Sequence, residues 1–388
     1  MTPSSSAGPP PSPVLSDDER AAAALAALGV SPARLRRLLD GWEPVDAWAA
    51  LQTGDHPEDG NGALRAAARP ELLQTVARRC AARGLFVLLR NGPGYPAALA
   101  QDPEAPAVLF GSGRPAALAG GPAVAVVGTR SAGVAGRQVA GVIGEELAAH
   151  GVHVVSGLAL GIDLAAHLGT LRATGASPVA VLGSPHDAFM TSAQRRVCDA
   201  VALRGLVLSE QAPGTMGARW RFASRNRIMA ALANLVVVVE AHESGGAWYT
   251  VRAARRRGVP VAAVPGSLAN PAAAGTNALL AAGASCVRDG ADVLALLGLS
   301  RTVPPARRPR TAAVHTGADA QAVLGAFGGE PLTADDLARR TGLGFAQVAL
   351  ALEQLAAAGR VRVTGGWWER TPPRLRSAGS QPSATPFS

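Results

Sequence analysis

The chain has 388 residues, 48% hydrophobic and 17% charged, which excludes an intrinsically disordered protein and allows one large domain with one or two small ones. A net charge of +9, carried by arginine without lysine, indicates polyanionic partners. The three cysteines form no CxxC pair, which argues against a zinc site or a disulfide framework. Because no signal-peptide pattern and no apolar run near 18 residues occur, we expect a cytoplasmic protein that does not bind the membrane.

Composition shifts along the chain predict its domain organisation. Pro/Ser-rich ends predict disordered tails, and an arginine- and proline-rich stretch predicts a linker. The predicted segments are a tail at 1–15, a helical SAM-like domain at 16–82, a Rossmann-like α/β domain at 83–299, a basic linker at 300–317, a winged helix at 318–371 and a tail at 372–388.

The α/β domain is predicted from short apolar strands that alternate with helical patterns. Its opening unit, residues 123–183, has the order strand, glycine loop, helix, strand, glycine loop, helix, strand. Such a pattern predicts a doubly wound, mostly parallel sheet of six or seven strands, whose ligands bind beyond the carboxyl ends of the strands. Phe86–Leu89, Tyr95-Pro96 and Pro106–Phe110 are expected to form extra edge strands.

The first glycine loop fits neither of the common nucleotide-binding motifs. Residues 128–133 lack the GxGxxG spacing of a dinucleotide site, and Val134-Ala135 stand where a P-loop needs Lys-Ser/Thr. What remains at Gly128 and Arg130 is an arginine beside a helix N-terminus with free N–H groups, which suits a phosphate. The alternative is a tight turn with a solvated Arg130.

An arginine–aromatic motif at residues 219–227 is the most informative pattern in the chain. Arginines neutralise phosphates and aromatic rings stack on bases, so Arg221 and Phe222 in this motif indicate single-strand binding. In the alternative reading, Phe222 lies in the core and the arginines pair with acids. The motif is expected to lead into a helix near Arg225. Two further turns on the same sheet edge, Ser244-Gly245-Gly246 and Gly275-Thr276-Asn277, could bind anions.

Catalytic interpretations are weaker. Asp163 and His167 are spaced i, i+4 on one helix, but no third metal ligand follows from the spacing, so a helix-start aspartate and a surface histidine are expected. Ser156 lacks the GxSxG elbow of a nucleophile. Glu240 could orient a ribose or pair with an arginine. No catalytic residue, metal site or cofactor is therefore predicted.

Several of these motifs together resemble the DNA-processing protein A (DprA/Smf) family over roughly residues 85–295. The matching segments are Val127–Arg130, Val155–Asp163, Ala165–His167, Ala180–Gly183, Leu208–Glu210, Phe222–Ile228, Val239–Ala241, Ser244-Gly245, Thr250, Ala263–Gly266 and Gly275–Asn277. The resemblance implies a non-enzymatic, homodimeric single-stranded DNA binder of natural transformation that passes DNA to the RecA recombinase.

The resemblance also implies site residues in the DNA groove: Arg130, Ser156, Gly157, Arg225, Asn226 and Arg227. The chain departs from the family pattern at Leu160, where an arginine is usual, and at Met190-Thr191-Ser192, where a basic residue is expected. Arg195 and Arg196 could compensate for that missing charge.

Two other functions stay open at this point. A related fold hydrolyses nucleoside phosphates, and Ser244-Gly245-Gly246 is similar to its phosphate loop, with Glu240 as the acid. A winged-helix transcription factor is the second alternative, although the expected recognition helix, Phe345 to Ala358, carries no basic residue.

Overall fold

The structure, a computed structural model, describes residues 14–118, 120–216, 219–299, 317–328, 331–364 and 367–371. The chain divides into two compact units, Met1–Thr302 and Val303–Ser388. Most of the predicted tails and of the predicted basic linker lie outside the described residues. Among the helices in the described ranges, none combines the length and the apolar character needed to cross a membrane.

The first unit begins with a layer of short helices whose ends follow from local sequence. Ser16 forms a capping box with Glu19, proline opens the next helix after the Ser31 cap, and Gly54 ends the third in a left-handed conformation. The helices are α1 (Asp17–Ala27), α2 (Pro32–Leu38), α3 (Pro44–Thr53), α4 (Ala63–Ala67) and α5 (Pro70–Ala82).

An α/β region follows, with strands and helices largely at the predicted positions. Its elements are β1 (Phe86–Leu89), α6 (Ala97–Ala100), β2 (Val108–Gly113), β3 (Ala123–Val127), α7 (Val134–Ala149), β4 (His153–Ser156), α8 (Ile162–Thr170), β5 (Pro178–Leu182), α9 (Ser192–Arg204), β6 (Leu206–Ser209), α10 (Arg219–Leu232), β7 (Leu235–Val238), α11 (Ala247–Arg256), β8 (Val261–Ala263), α12 (Ala274–Ala281), β9 (Ser285–Cys286) and α13 (Gly290–Leu296).

These strands form one sheet that confirms the predicted mostly parallel, doubly wound architecture. Within the described residues its order is β1-β2-β6-β5-β4-β3-β7-β8-β9. All pairings from β6 to β9 are parallel, and only the edge pairings of β2 with β1 and with β6 are antiparallel. The chain runs outward from β3 to β6 and then returns to the other side of β3 at β7. The switch point of the topology therefore lies between β3 and β7.

Two local expectations were wrong, and one strand was not predicted. Tyr95-Pro96 forms no strand, because Pro96 caps α6 and the Tyr95 hydroxyl donates to the Pro106 carbonyl at 2.7 Å. The arginine–aromatic motif lies inside α10, which starts at Arg219 rather than near Arg225. The short strand β9 was not foreseen, since two exposed residues give no apolar pattern.

The sheet is covered on both faces, and the helical layer shares a core with its antiparallel edge. Leu25 and Leu51 of the helices belong to one buried cluster with Val87 of β1 and Phe110 of β2. Elsewhere in the helical layer, Arg36 of α2 donates to the Glu104 carbonyl at 3.3 Å. The predicted helical and Rossmann-like segments are thus packed together within the first unit.

The second unit has its own apolar core and the elements of a winged helix. Leu337, Leu352 and Leu355 are buried in that core. Its elements are α14 (Ala318–Gly325), α15 (Ala334–Thr341), α16 (Phe345–Ala357), β10 (Val361–Thr364) and β11 (Trp367–Arg370). The two strands pair antiparallel, as predicted, and the Gly365-Gly366 turn between them lies outside the described residues.

Candidate nucleic-acid interface

A cleft of about 710 Å³ opens at the switch point, beyond the carboxyl ends of β3 and β7. The end of β3, the loop after β4, α10 and the start of α11 form its walls. Predicted site residues that line it are Gly128, Arg130, Arg225, Asn226 and Gly245. The position agrees with the rule that open α/β sheets bind ligands where the strand order reverses.

Arg130 is exposed and lines two cavities at once. It belongs to the wall of the cleft and to a second cavity of about 220 Å³ bordered by Leu160 and Phe189. Gly128 sets the turn before it, because a Cβ there would lie 2.6 Å from the Glu240 carbonyl oxygen. The Thr129 N–H donates to that same oxygen at 2.7 Å. A close backbone approach therefore places Arg130 at the rim.

The N-terminus of α7 is occupied by a side chain of the protein itself. The Glu240 carboxylate accepts the Gly133 N–H at 3.0 Å and the Asn270 amide at 3.3 Å. Gly136 is required beside it, since a Cβ would overlap the carboxylate. The expectation of free N–H groups for a phosphate was wrong at Gly133, because the Glu240 carboxylate already accepts this N–H at the start of the helix. Glu240 is not among the described residues that line the cleft.

Arg225 is buried and lines the cleft. Its guanidinium donates to the Gly157 carbonyl at 2.7 Å and to the Val181 carbonyl, and Gly157 leaves no room for a side chain beside it. Burial raises the pKa of the neighbouring Asp163 to about 6, and the positive charge of Arg225 acts in the opposite direction. Burial likewise lowers the pKa of Arg225. This arginine therefore connects the end of β4 with the end of β5.

Asn226 connects α10 to the loop before α11. Its amide nitrogen donates to the Gly246 carbonyl at 3.1 Å, while its oxygen accepts from Arg225 at 3.0 Å. Ser244 and Gly245 in this loop are exposed, and open space surrounds Gly245. The loop is therefore held at its end and remains accessible at its tip.

Two other arginines of the motif, Arg221 and Arg227, donate to protein acceptors. Arg227 forms a buried ion pair with Glu210 at 2.6 Å, as the alternative reading proposed. Arg221 is buried away from the cleft and donates to the Thr215 hydroxyl at 3.1 Å and to the Met216 carbonyl at 2.6 Å. The side chain of Phe222 lies outside the described residues, so its stacking role stays a prediction.

Three more predicted site residues have structural contacts. Ser156 is fully buried and donates to the Val126 carbonyl at 2.6 Å. Thr276 is also fully buried and donates to the Ala273 carbonyl at 3.0 Å. Asn277 bonds both the N–H and the carbonyl of Gly266, at 3.1 and 3.0 Å. None of these three side chains lines the described part of the cleft, and direct DNA contact by Ser156 or Thr276 would need a rearrangement.

The expected surface position of His167 was wrong. The ring is fully buried, and burial lowers its pKa to about 4. Neither ring nitrogen reaches hydrogen-bonding geometry with a described residue, although the nearby Ser156 backbone offsets part of the burial effect. Asp163 on the same helix is buried as well, and the described residues contain no cluster of three metal-ligating side chains.

The sequence reasoning missed two residues on α11 and one before α9. Tyr249 lines the cleft, and the Arg252 guanidinium lies 4.8 Å from the centroid of its ring. Phe189 projects from the loop before α9 into the second cavity. An amphipathic reading of α11, with Tyr249 and Arg252 spaced i, i+3, could have found the first pair. No sequence signal distinguished Phe189 from a core residue.

Comparisons with known proteins agree with this architecture. Residues 86–298 match the family model described as DNA recombination-mediator protein A, and residues 304–366 match the DprA winged helix domain. The DNA processing protein DprA of Streptococcus pneumoniae is 38% identical over 201 residues, 52% of this chain and 70% of the relative. The putative DprA of Mycobacterium tuberculosis is 37% identical over 248 residues, 63% and 64% of the two chains.

Solved structures give the same assignment. DprA from Streptococcus pneumoniae superposes with a TM-score of 0.59 at 32% identity, covering 70% of this chain and 95% of that one. DprA from Helicobacter pylori, studied for its single-stranded DNA binding mode, superposes with a TM-score of 0.50 at 27% identity over 55% of this chain and 95% of that one. The chain belongs to the DNA recombination-mediator protein A family.

Proposed function

We propose that this protein binds single-stranded DNA at the switch-point cleft, as a non-enzymatic DNA-processing factor. One observation carries this proposal: exposed Arg130, the accessible Gly245 loop and the Tyr249 ring line the same cleft. Guanidinium, exposed backbone N–H groups and an aromatic face together suit a strand whose phosphates and bases are both accessible. The Helicobacter pylori relative with a single-stranded DNA binding mode supports the same ligand.

The described cleft lends little support to a nucleoside-phosphate hydrolase. Glu240, the acid which that reaction would need, is turned to the N-terminus of α7. The carboxyl group that does line the cleft, Asp163, is buried beside Arg225. A general acid or base must reach its substrate proton within hydrogen-bonding distance. We therefore assign a binding role to the cleft.

Because the chain belongs to this family, the proposal also includes transfer of the strand to RecA and a homodimeric state. RecA should form filaments faster on DNA coated with single-strand-binding protein when this protein is added. An unchanged filament rate with normal DNA binding would remove RecA from the proposal and leave the cleft assignment intact. Sedimentation at micromolar concentration would test the dimer separately.

The direct test of the cleft is Arg130→Ala. A charged hydrogen bond to phosphate contributes about 1.5–3 kcal/mol, so affinity for a single strand should fall about ten- to 150-fold. The slope of log affinity against log salt should become shallower by about 0.7, because one phosphate contact is lost. Affinity and thermal unfolding are measured on the same samples.

A matched control is Arg288→Ala, which removes the same charge from an exposed ion pair with Asp292 outside the cleft. It should leave affinity nearly unchanged. If Arg130→Ala lowers the melting temperature and keeps the salt slope, Arg130 stabilises the turn and the phosphate assignment is wrong. Equal affinity of the wild-type protein for duplex of the same length would contradict a single-strand preference.

A further inference from the structure

Two exposed aromatic side chains lie in the two cavities that Arg130 lines. Tyr249 is 49% exposed in the wall of the cleft, and Phe189 is 93% exposed in the wall of the second cavity. The two cavities meet at Arg130, Ala159 and Arg225, which line both. Arg130 thus lines both cavities, and each of them contains one exposed aromatic ring.

The loop that carries Phe189 is anchored on both sides of it. Arg195 donates to the carbonyls of His186 and Ala188 at 3.4 and 3.2 Å, and the Asp187 carboxylate accepts the Gly214 N–H at 3.1 Å. Thr191 then begins α9 with a capping box. A loop fixed in this way holds a phenyl ring in solvent, although an apolar ring gains free energy from burial. Phe189 therefore offers an accessible aromatic face to a ligand in the second cavity.

The ring of Tyr249 has a cation beside it. The Arg252 guanidinium lies over the ring at 4.8 Å from its centroid, which restrains both side chains on the surface of α11. Because Arg252 lies over one face of the ring, a base would stack on the other face. Arginine near both rings favours an anionic ligand with flat apolar faces over an apolar peptide, and single-stranded nucleic acid combines these properties.

We propose that Tyr249 and Phe189 are two base-stacking platforms, with the strand crossing Arg130 between them. This inference rests on the proposed single-strand function and adds the path of the strand, from the switch-point cleft into the second cavity. Stacking needs only the face of a base, so neither platform should select for sequence. Each ring should strengthen binding about five- to 150-fold, the range of alanine substitution at base-stacking rings.

The test measures affinity of the full chain for oligothymidylate and for an abasic strand of equal length. Phe189→Ala and Tyr249→Ala should each weaken oligothymidylate binding at least fivefold, with unchanged binding of the abasic strand and unchanged melting temperature. The ring-retaining variants Phe189→Tyr and Tyr249→Phe should bind as the wild type does. Leu203→Ala, which removes another exposed apolar side chain, is the matched control and should have no effect.

Three results would contradict the assignment of the two rings as base-stacking platforms. Alanine variants that bind oligothymidylate as tightly as the wild type would show that the rings do not contact bases, while single-strand binding itself stands. Equal losses on both strands would indicate a change in shape rather than lost stacking. A changed oligomeric state of the free Phe189→Ala protein would assign that ring to an interface between copies. A wild-type protein without single-strand affinity would instead refute the proposed function.

Discussion

At the residue scale, Glu240 connects the loop after β7 with the N-terminus of α7 and with Asn270. A carboxylate offers acceptors to both donors at once, and its negative charge interacts favourably with the helix dipole. From the sequence alone, Glu240 is an acidic residue at the end of a parallel strand that could take part in catalysis or bind a ribose. Its contacts assign it to a structural role at the carboxyl edge of the sheet instead.

We expect Glu240→Gln to lower the free energy of unfolding by about 1–3 kcal/mol, because a carboxamide leaves one of the two donors without its acceptor. Urea titration measures the change. Glu243→Gln, on an exposed neighbour, should have no effect. Single-strand affinity of the folded Glu240→Gln protein should persist, and its loss without a loss of stability would place Glu240 in contact with the ligand.

His167 makes stability depend on pH. Burial lowers its pKa to about 4 from an ordinary value of 6.5, so the unfolded chain takes up a proton that the folded protein resists. Its contribution to stability is therefore present above pH 6.5 and is lost as the pH falls towards 4. Asp163 has the opposite sign, since burial raises its pKa to about 6 and stability is lost as the pH rises through that value.

We expect His167→Gln to remove the histidine's share of this loss. Between pH 7 and pH 5 the wild type should lose about 2 kcal/mol more than the variant, which follows from about 1.4 kcal/mol per unit of pKa shift. Chemical unfolding at both pH values measures the difference, in which all other titrating groups cancel. The exposed His242→Gln is the control. Parallel pH profiles of variant and wild type would contradict a neutral buried imidazole.

Residue patterns predicted where ligands could bind but not which side chains face them. A Cβ at Gly128 or Gly157 would overlap neighbouring atoms, so the tight turn given as the alternative reading of the first glycine loop is confirmed at Gly128. Arg225 and Arg227 show the limit: arginine type suggests phosphate, yet Arg225 donates to backbone carbonyls and Arg227 pairs with Glu210. Only the three-dimensional arrangement decides whether a cation meets solvent or a protein acceptor.

At the element scale, strand prediction succeeded for β3 to β8 because each of these parallel strands is a short apolar run between turn residues. The pairing of α7 with α8 was not predicted, since it depends on the absence of side chains. A Cβ at Gly169 would overlap the Gly141 carbonyl, and one at Gly144 would overlap the Ala166 carbonyl. The two helix backbones are therefore in direct contact beneath the cleft.

We expect Gly169→Ala to destabilise the first unit by about 1–3 kcal/mol through overpacking. Helix propensity alone predicts the opposite sign, a gain of up to about 1 kcal/mol, so the sign of the change decides between the two effects. Thermal unfolding measures it. Gly60→Ala, at a position with a negative φ and no neighbour within 4 Å of the added carbon, is the control. A stabilised Gly169→Ala protein would mean that the helices can separate.

At the scale of the whole molecule, the cleft and the second cavity belong to the first unit alone. The second unit has its own core, and its third helix, α16, carries no basic residue to meet duplex phosphates. Both architectures follow from the periodicity of the sequence, whereas the DNA-binding role proposed for the first unit depends on Arg130 and on the aromatic rings that line its two cavities.

We expect a chain that ends at residue 300 to keep single-strand affinity within about tenfold of the full protein, a difference of less than about 1.4 kcal/mol. The reason is that every residue of the proposed interface precedes the cut.

The removed segment includes Arg301, Arg307, Arg308 and Arg310. A full chain with these four arginines replaced by alanine therefore separates the effect of the linker charge from the effect of the winged helix. Affinities are measured at two salt concentrations. A larger loss in the truncated chain, with no loss in the four-alanine chain, would place part of the DNA-binding surface in the winged helix.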